Sequence, residues 1–231
     1  MSAHMQRALA QIKQSVLELG TLVEESLYAA MKAVQDRDAE LAIRVIEDDT
    51  LIDEREVDIE ESCLQFLALY QPVAADLRFI VAVLKINNDL ERVGDLSVNI
   101  AERAAFLARE RAPRMVFDFQ QMAQSAQRML RSSLDALVKG DVVQAWEVCV
   151  ADDEVDSLNR EMYINVQRAI LKNPDDLEAL IHMLSISRHL ERVADLASNV
   201  GEEVIYMVEG KIVRHKSEEY RSYRVAQGAE D

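Results

Sequence analysis

Proline, glycine and cysteine are all scarce in this chain of 231 residues, which holds three, six and two of them. So few helix breakers exclude a loop-rich fold and leave room for long uninterrupted helices. Aromatic residues make up 5% of the chain, too few for the strands of a β-sandwich or barrel. Cys63 and Cys149 form no CxxC pair, which excludes a disulfide framework and fits a reducing compartment. No apolar run approaches the ~20 residues of a membrane span. The opening MSAHMQRALAQIKQ lacks the apolar core of a signal peptide, so a cytoplasmic location is expected. Basic residues are also short, 26 Lys and Arg against 42 Asp and Glu, for a net charge of −16. Such a surface repels phosphate backbones and anionic lipid, so neither nucleic acid nor direct membrane docking is expected. Cations and basic partner surfaces are the expected company. There is no Gly-rich phosphate loop, no G-x-S-x-G and no HExxH, and no nucleophile stands beside a base. The chain reads as a non-enzyme.

What is plentiful is apolar residues, 49% of the chain, arranged with helical periodicity. Six helices follow from that period and from the breakers, with no strand: an all-α fold. The first spans roughly 5–35, with Ile12, Val16, Leu19, Val23, Ala30 and Val34 on one face. Asp38 suits the cap of a second over 39–70. Pro72 interrupts, and a third runs over 73–110 with Phe79, Ala82, Val83, Ile86, Leu90, Val93, Ile100 and Ala104 inward. Pro113 marks a linker. A fourth helix over 115–138 uses Phe119, Met122, Ala126, Met129 and Leu137, and Gly140–Asp141 reads as a stop followed by a new cap. A fifth runs over 142–172, Asn173–Pro174 break it, and a sixth runs over 175–209 to Gly210.

The second half repeats the first. LKINNDLERVGDLSVNIAE begins at Leu84 and LSISRHLERVADLASNVGE at Leu184, an offset of 184 − 84 = 100 residues. Asp49-x-x-x-Asp53 is echoed by Asp152-x-x-x-Asp156. Each half thus reads as a helix, a helix with DxxxD and a helix with ExxxD. The organisation expected is two tandem, pseudo-symmetric three-helix bundles, 1–112 and 113–210, with a polar tail over 211–231.

On a helical wheel Glu91, Asp95, Asn99 and Glu102 fall within ~80° of one another, opposite the apolar stripe. Asp49, Asp53, Glu56 and Glu60 form a second acidic line on the preceding helix. In a helical hairpin the two lines converge on an outer patch facing away from the core. Carboxylates stacked at i, i+4 repel, and a cation neutralises them. An oxygen-only donor set suits Mg, Mn, Fe or Ca. A lone ExxxD is ordinarily a solvated face; four such motifs in two matched sets are what make metal the expectation here. The second set, Asp152, Asp156, Glu191, Asp195, Asn199 and Glu202, is expected to be thinner, because Asn159 and Tyr163 stand where the first half has Glu56 and Glu60. His182, His189 and Trp146 read as packing or surface residues, and Arg92 and Arg192 as local ion-pair partners.

DLERVGDLSVNIAE and HLERVADLASNVGEEVIYMVEG carry a doubled ERxxD…N signature, supported by QPVAADLR and VIEDDTLID. Through them the chain resembles the PhoU family over roughly 6–215. The resemblance implies a pair of three-helix bundles with pseudo-twofold symmetry, commonly dimeric, whose E(D)xxxD motifs hold metal clusters, with iron, manganese or magnesium the expected ions. The motif positions are Asp49, Asp53, Glu91 and Asp95, matched by Asp152, Asp156, Glu191 and Asp195; Asn99, Glu102, Asn199 and Glu202 continue the same faces. Gly94 becomes Ala194 in the second copy, a change expected to matter little. It further implies a negative regulator of the phosphate-starvation response. That regulator links the ATPase subunit of the phosphate ABC transporter to a membrane sensor histidine kinase, so the chain meets the membrane only through its partners. Two other readings compete: a carboxylate-bridged di-metal enzyme, which needs Glu-x-x-His motifs aimed into a bundle core, and a purely structural scaffold.

Overall fold

The computed structural model describes residues 3–110 and 117–213, all in helices and short connections, with no strand among them. The helices are α1 (Ala3–Asp36), α2 (Ala39–Tyr70), α3 (Ala74–Arg109), α4 (Gln120–Lys139), α5 (Val142–Lys172) and α6 (Leu177–Glu209). None of the described helices is long and apolar enough to cross a membrane. The expected linker proline, Pro113, and residues 214–231 of the expected tail lie outside the described residues. Of that tail Val213 is buried rather than solvated.

Local chemistry sets the ends. The Asp38 carboxylate accepts the Leu41 N–H at 2.9 Å and that of Asp141 accepts the Gln144 N–H at 3.0 Å, so both cap as expected. Gly140 and Gly210 close α4 and α6 with φ of 64° and 72°, a backbone that glycine adopts without strain. Two boundaries differ from the sequence reading. Helix α4 starts at Gln120, not near 115. Apolar residues continue upstream of it, but the Asp118 side chain accepts the Gln120 N–H at 2.8 Å and starts the helix there. Ahead of α6, Pro174–Asp176 form a 3₁₀ turn, so the α-helix itself starts at Leu177.

Helices α1, α2 and α3 pack on one another, as do α4, α5 and α6; the two bundles meet where α3 lies along α6 and α1 touches α4. Helices α3 and α6 bury 14 and 15 residues, against six and seven on α2 and α5. The central pair thus serves both bundles, and the apolar core is continuous between them. Trp146 belongs to that core, as expected. Lys85 of α3 reaches Glu203 of α6 at 2.8 Å, while Phe106 stacks on His182 with centroids 3.9 Å apart. These contacts make α3 and α6 antiparallel and bring residues 94 and 194, the same position in the two repeats, level at the crossing. The pseudo-twofold of the sequence is therefore a pseudo-twofold of the fold.

Two glycines permit close helix approach. A Cβ on Gly201 would lie 2.9 Å from the backbone oxygen of Ala145 on α5, and one on Gly20 would lie 2.9 Å from the methyls of Leu134 on α4. A backbone cannot give way as a leucine can. Gly201→Ala is expected to destabilise the protein by about 1–3 kcal/mol through overpacking. Gly20→Ala is expected to be nearly neutral, because Leu134 can rotate and alanine gains ~1 kcal/mol of helix propensity. Urea unfolding of the two variants checks this; equal midpoints would contradict it.

Candidate functional site

In the first bundle the seam between α2 and α3 gathers Asp49, Asp53, Glu56, Glu91 and Asp95. Burial, then Asp53 and Asp95, push the Asp49 carboxyl up to about 6. Glu91 is also raised, by burial first and then by Asp95, Asp53, Glu56 and Asp49. Gly94 lies close beneath Asp49: a Cβ there would meet Asp49 Oδ1 at 3.2 Å and Ile52 Cγ2 at 3.1 Å. Asn87, fully buried on α3, donates to the Glu56 carbonyl at 2.9 Å and to its carboxylate at 3.1 Å, fixing that side chain over the seam.

The seam between α5 and α6 repeats the arrangement with Asp152, Asp156, Glu191 and Asp195. The Asp152 carboxyl is pushed up to about 7, first by burial and then by Asp195, Asp156, Asp153 and Glu191. Glu191 and Asp195 are raised as well, chiefly by burial, with Arg192 opposing both shifts. Where the first half holds Glu56 with Asn87, the second has Ser187 donating to Asn159 at 2.7 Å. The loss of charge at position 159 is therefore paired with a change in the residue beneath it. Tyr163 is exposed.

The structure corrects one expectation about these carboxylates. They do not all face away from the core: Asp49 Oδ1 and Asp152 Oδ1 are buried without a hydrogen-bond partner. A wheel fixes a direction relative to one helix axis, not how far the neighbouring helix covers it. The outer members diverge. Asn99 donates to the Asp95 carbonyl at 2.7 Å, and Glu102 bonds Arg103 at 2.8 Å on the side toward His189. Glu202 lies with Asp152 beside Cys149, whose thiol burial raises to about 12. Asn199 is exposed. Arg92 pairs with Asp89 at 3.8 Å rather than with the patch. His182 and His189 are half-buried in the α3–α6 contact, and burial, then Arg103, Arg192 and Arg188, hold His189 down to about 4. Asn87 and Ser187, the buried residues that steady each patch, were not anticipated; their shared position in the repeat was the available signal.

As the side chains stand, no three or more His, Cys, Asp or Glu among the described residues are gathered to hold a metal ion. The donor chemistry nonetheless fits one. Each seam offers only carboxylate oxygens near its centre, one of them buried and unpartnered, and neighbouring negative charges resist ionisation unless a cation offsets them.

Both halves of the chain, residues 16–104 and 119–204, match the family described as "PhoU domain". The chain is 38% identical over 210 residues to a phosphate-specific transport system accessory protein PhoU homolog of Aquifex aeolicus, covering 91% of this chain and 95% of that one. Its fold is similar to the crystal structure of PhoU from Pseudomonas aeruginosa, with a TM-score of 0.87 at 32% identity over 89% of this chain and 99% of that one. The phosphate transport system regulatory protein PhoU from Streptococcus pneumoniae aligns with a TM-score of 0.83 at 28% identity, over 90% and 99% of the two chains.

Raised carboxyl pKa values give the pH dependence a definite sign. Between pH ~4 and ~7 the folded state holds protons on Asp49 and Asp152 that the unfolded chain has released, so their contribution to stability falls as pH rises through that window. The doubly substituted variant Asp49→Asn, Asp152→Asn is expected to be more stable than wild type at pH 8, by on the order of 1 kcal/mol after solvent screening. The difference should shrink towards pH 4. Thermal melts in chelator across that range check it; a difference independent of pH would contradict it.

Proposed function

The chain belongs to the PhoU family, and from that premise we propose that it is a non-enzymatic regulator of phosphate uptake and of the phosphate-starvation response. In this reading it represses the phosphate regulon by linking the ATPase subunit of the phosphate ABC transporter to the sensor histidine kinase. It works on the cytoplasmic face, as a homodimer. The observation that carries it is the match of both repeats, at the same places, to the family of phosphate transport accessory proteins. The seams support an adaptor over the rival di-metal enzyme: their carboxylates sit along helix edges with no Glu-x-x-His pair beside them, whereas such enzymes carry those pairs inside the bundle. An adaptor acts by binding one state of a partner better than another. Deleting the gene is expected to leave a phosphate-repressed reporter switched on under phosphate excess; a reporter that stays repressed rejects the regulatory assignment.

We further propose that a hard cation, Mg, Mn or Fe, binds each seam. Asp49, Asp53, Glu91 and Asp95 hold it in the first bundle and Asp152, Asp156, Glu191 and Asp195 in the second. The support is the orphaned oxygen at each centre. Glu91→Ala with Asp95→Ala is expected to remove metal from the first seam while circular dichroism stays helical. Elemental analysis checks it, and equal metal in wild type and in a variant lacking all eight carboxylates would overturn it.

A further inference from the structure

The outer face of α2 carries an apolar stripe that the fold leaves uncovered. Ile43, Val57 and Leu64 are 38%, 50% and 52% exposed and, with exposed Thr50, they recur every seventh residue, the spacing of a coiled-coil seam. The core stripe of the same helix, Ile52, Ile59 and Phe66, lies on another side and is buried. Exposed carboxylates run along both borders, Glu47, Glu54 and Glu61 on one and Asp53 and Glu60 on the other. Helix α2 holds ten acidic residues against two basic ones, and those two, Arg44 and Arg55, lie ~130–150° round from the stripe.

The repeat supplies an internal comparison. The corresponding positions of α5, 103 residues on by the spacing of the DxxxD motifs, are Trp146, Asp153, Arg160 and Gln167. Trp146 is buried in the core and the rest are polar; the exposed apolar residues of α5, Val143, Ile164 and Leu171, recur at multiples of seven on a different line of that helix. The difference lies in the borders: Glu147, Glu154 and Glu161 flank one side of the α5 line, but Arg160 and Gln167 stand with Asp153 on the other, whereas α2 is acidic on both sides.

We propose that this face of α2 is the docking site for an amphipathic helix of a partner protein, one whose apolar stripe covers Ile43, Val57 and Leu64 and whose flanking lysines and arginines meet the acidic borders. Charge selects this occupant: a second copy of the chain would bring like-charged borders face to face. The inference rests on the adaptor reading and names the surface through which it acts.

The probe is a synthetic helix of about three heptads with leucines on its seam and lysines beside them, titrated into the full-length protein by fluorescence anisotropy. Wild type is expected to bind it, and Val57→Ser with Leu64→Ser, which leaves the charge unchanged, to weaken binding at least ~10-fold without altering circular dichroism. A peptide with its leucines replaced by serine is expected to bind at least ~10-fold more weakly to wild type. Equal binding by the variant, equal binding of the serine peptide, or conversion of a wild-type dimer to monomer by the two substitutions would each overturn the proposal. In cells the same variant is expected to derepress the phosphate reporter as deletion does. If deletion derepresses it and the variant does not, the docking site falls and the regulator stands. If deletion leaves it repressed, the regulator reading falls and the peptide titration still decides the site.

Discussion

The antiparallel contact of α3 with α6 is the constraint on which the rest of the molecule depends. A three-helix bundle of this size could bury one stripe on each helix, as α2 and α5 do. Helices α3 and α6 instead present wide arcs and complete two bundles each other's way, so neither half closes its core without the other. The ends of the contact are held by different chemistry. At one, Lys85 satisfies Glu203, whose side chain is only 8% exposed. At the other, Phe106 covers His182 with His189 close by. A buried carboxylate that lost its ammonium partner would be strongly destabilising, which makes the first end the more sensitive.

This central pair also dictates where the acidic seams lie. Each seam has one wall on a central helix and one on a peripheral helix, so its geometry inherits the pseudo-twofold and its inner carboxylates are shielded at the helix–helix contact. The resulting pKa shifts are a consequence of packing: burial is the leading cause both for Asp49, which lies against Gly94, and for Asp152. The second seam has fewer acidic side chains along its outer line, yet its innermost carboxyl is raised too, by burial first and then by Asp195, Asp156, Asp153 and Glu191. Counting carboxylates along one helix undervalued it.

Most of the fold was legible because its determinants are local. Periodicity, the caps at Asp38 and Asp141 and the stops at Gly140 and Gly210 each act within a turn or two of where they are read. The start of α4 was misplaced because hydrophobicity continues upstream while the capping geometry at Asp118 does not. For the candidate seams, residue types and spacing identified the inner eight carboxylates, but not their depth. Nor did they separate Glu102, drawn to Arg103, from Glu202, which stays near Asp152. Those outcomes depend on which helix lies across the seam, a long-range fact that one helix's pattern does not contain. Asn87 and Ser187 escaped notice for the related reason that a single polar residue in an apolar stripe becomes informative only when its partner across the seam is known.

Duplication explains why two halves with one fold need not do one job. The core positions of α3 and α6 are bound to each other by packing, whereas the outer faces of α2 and α5 are exposed among the described residues. They differ in charge: the exposed apolar line of α2 has carboxylates on both borders, that of α5 on one. Asp53 stands at the junction, on the first seam and on one border of the stripe. A cation held there neutralises part of the border that a basic helix would engage, and by linkage a bound basic helix disfavours the cation to the same degree. On the two proposals above, that coupling has a negative sign. For the adaptor proposed above, such opposition between an ion and a partner on one helix is a physical means by which the state of one site reaches the other.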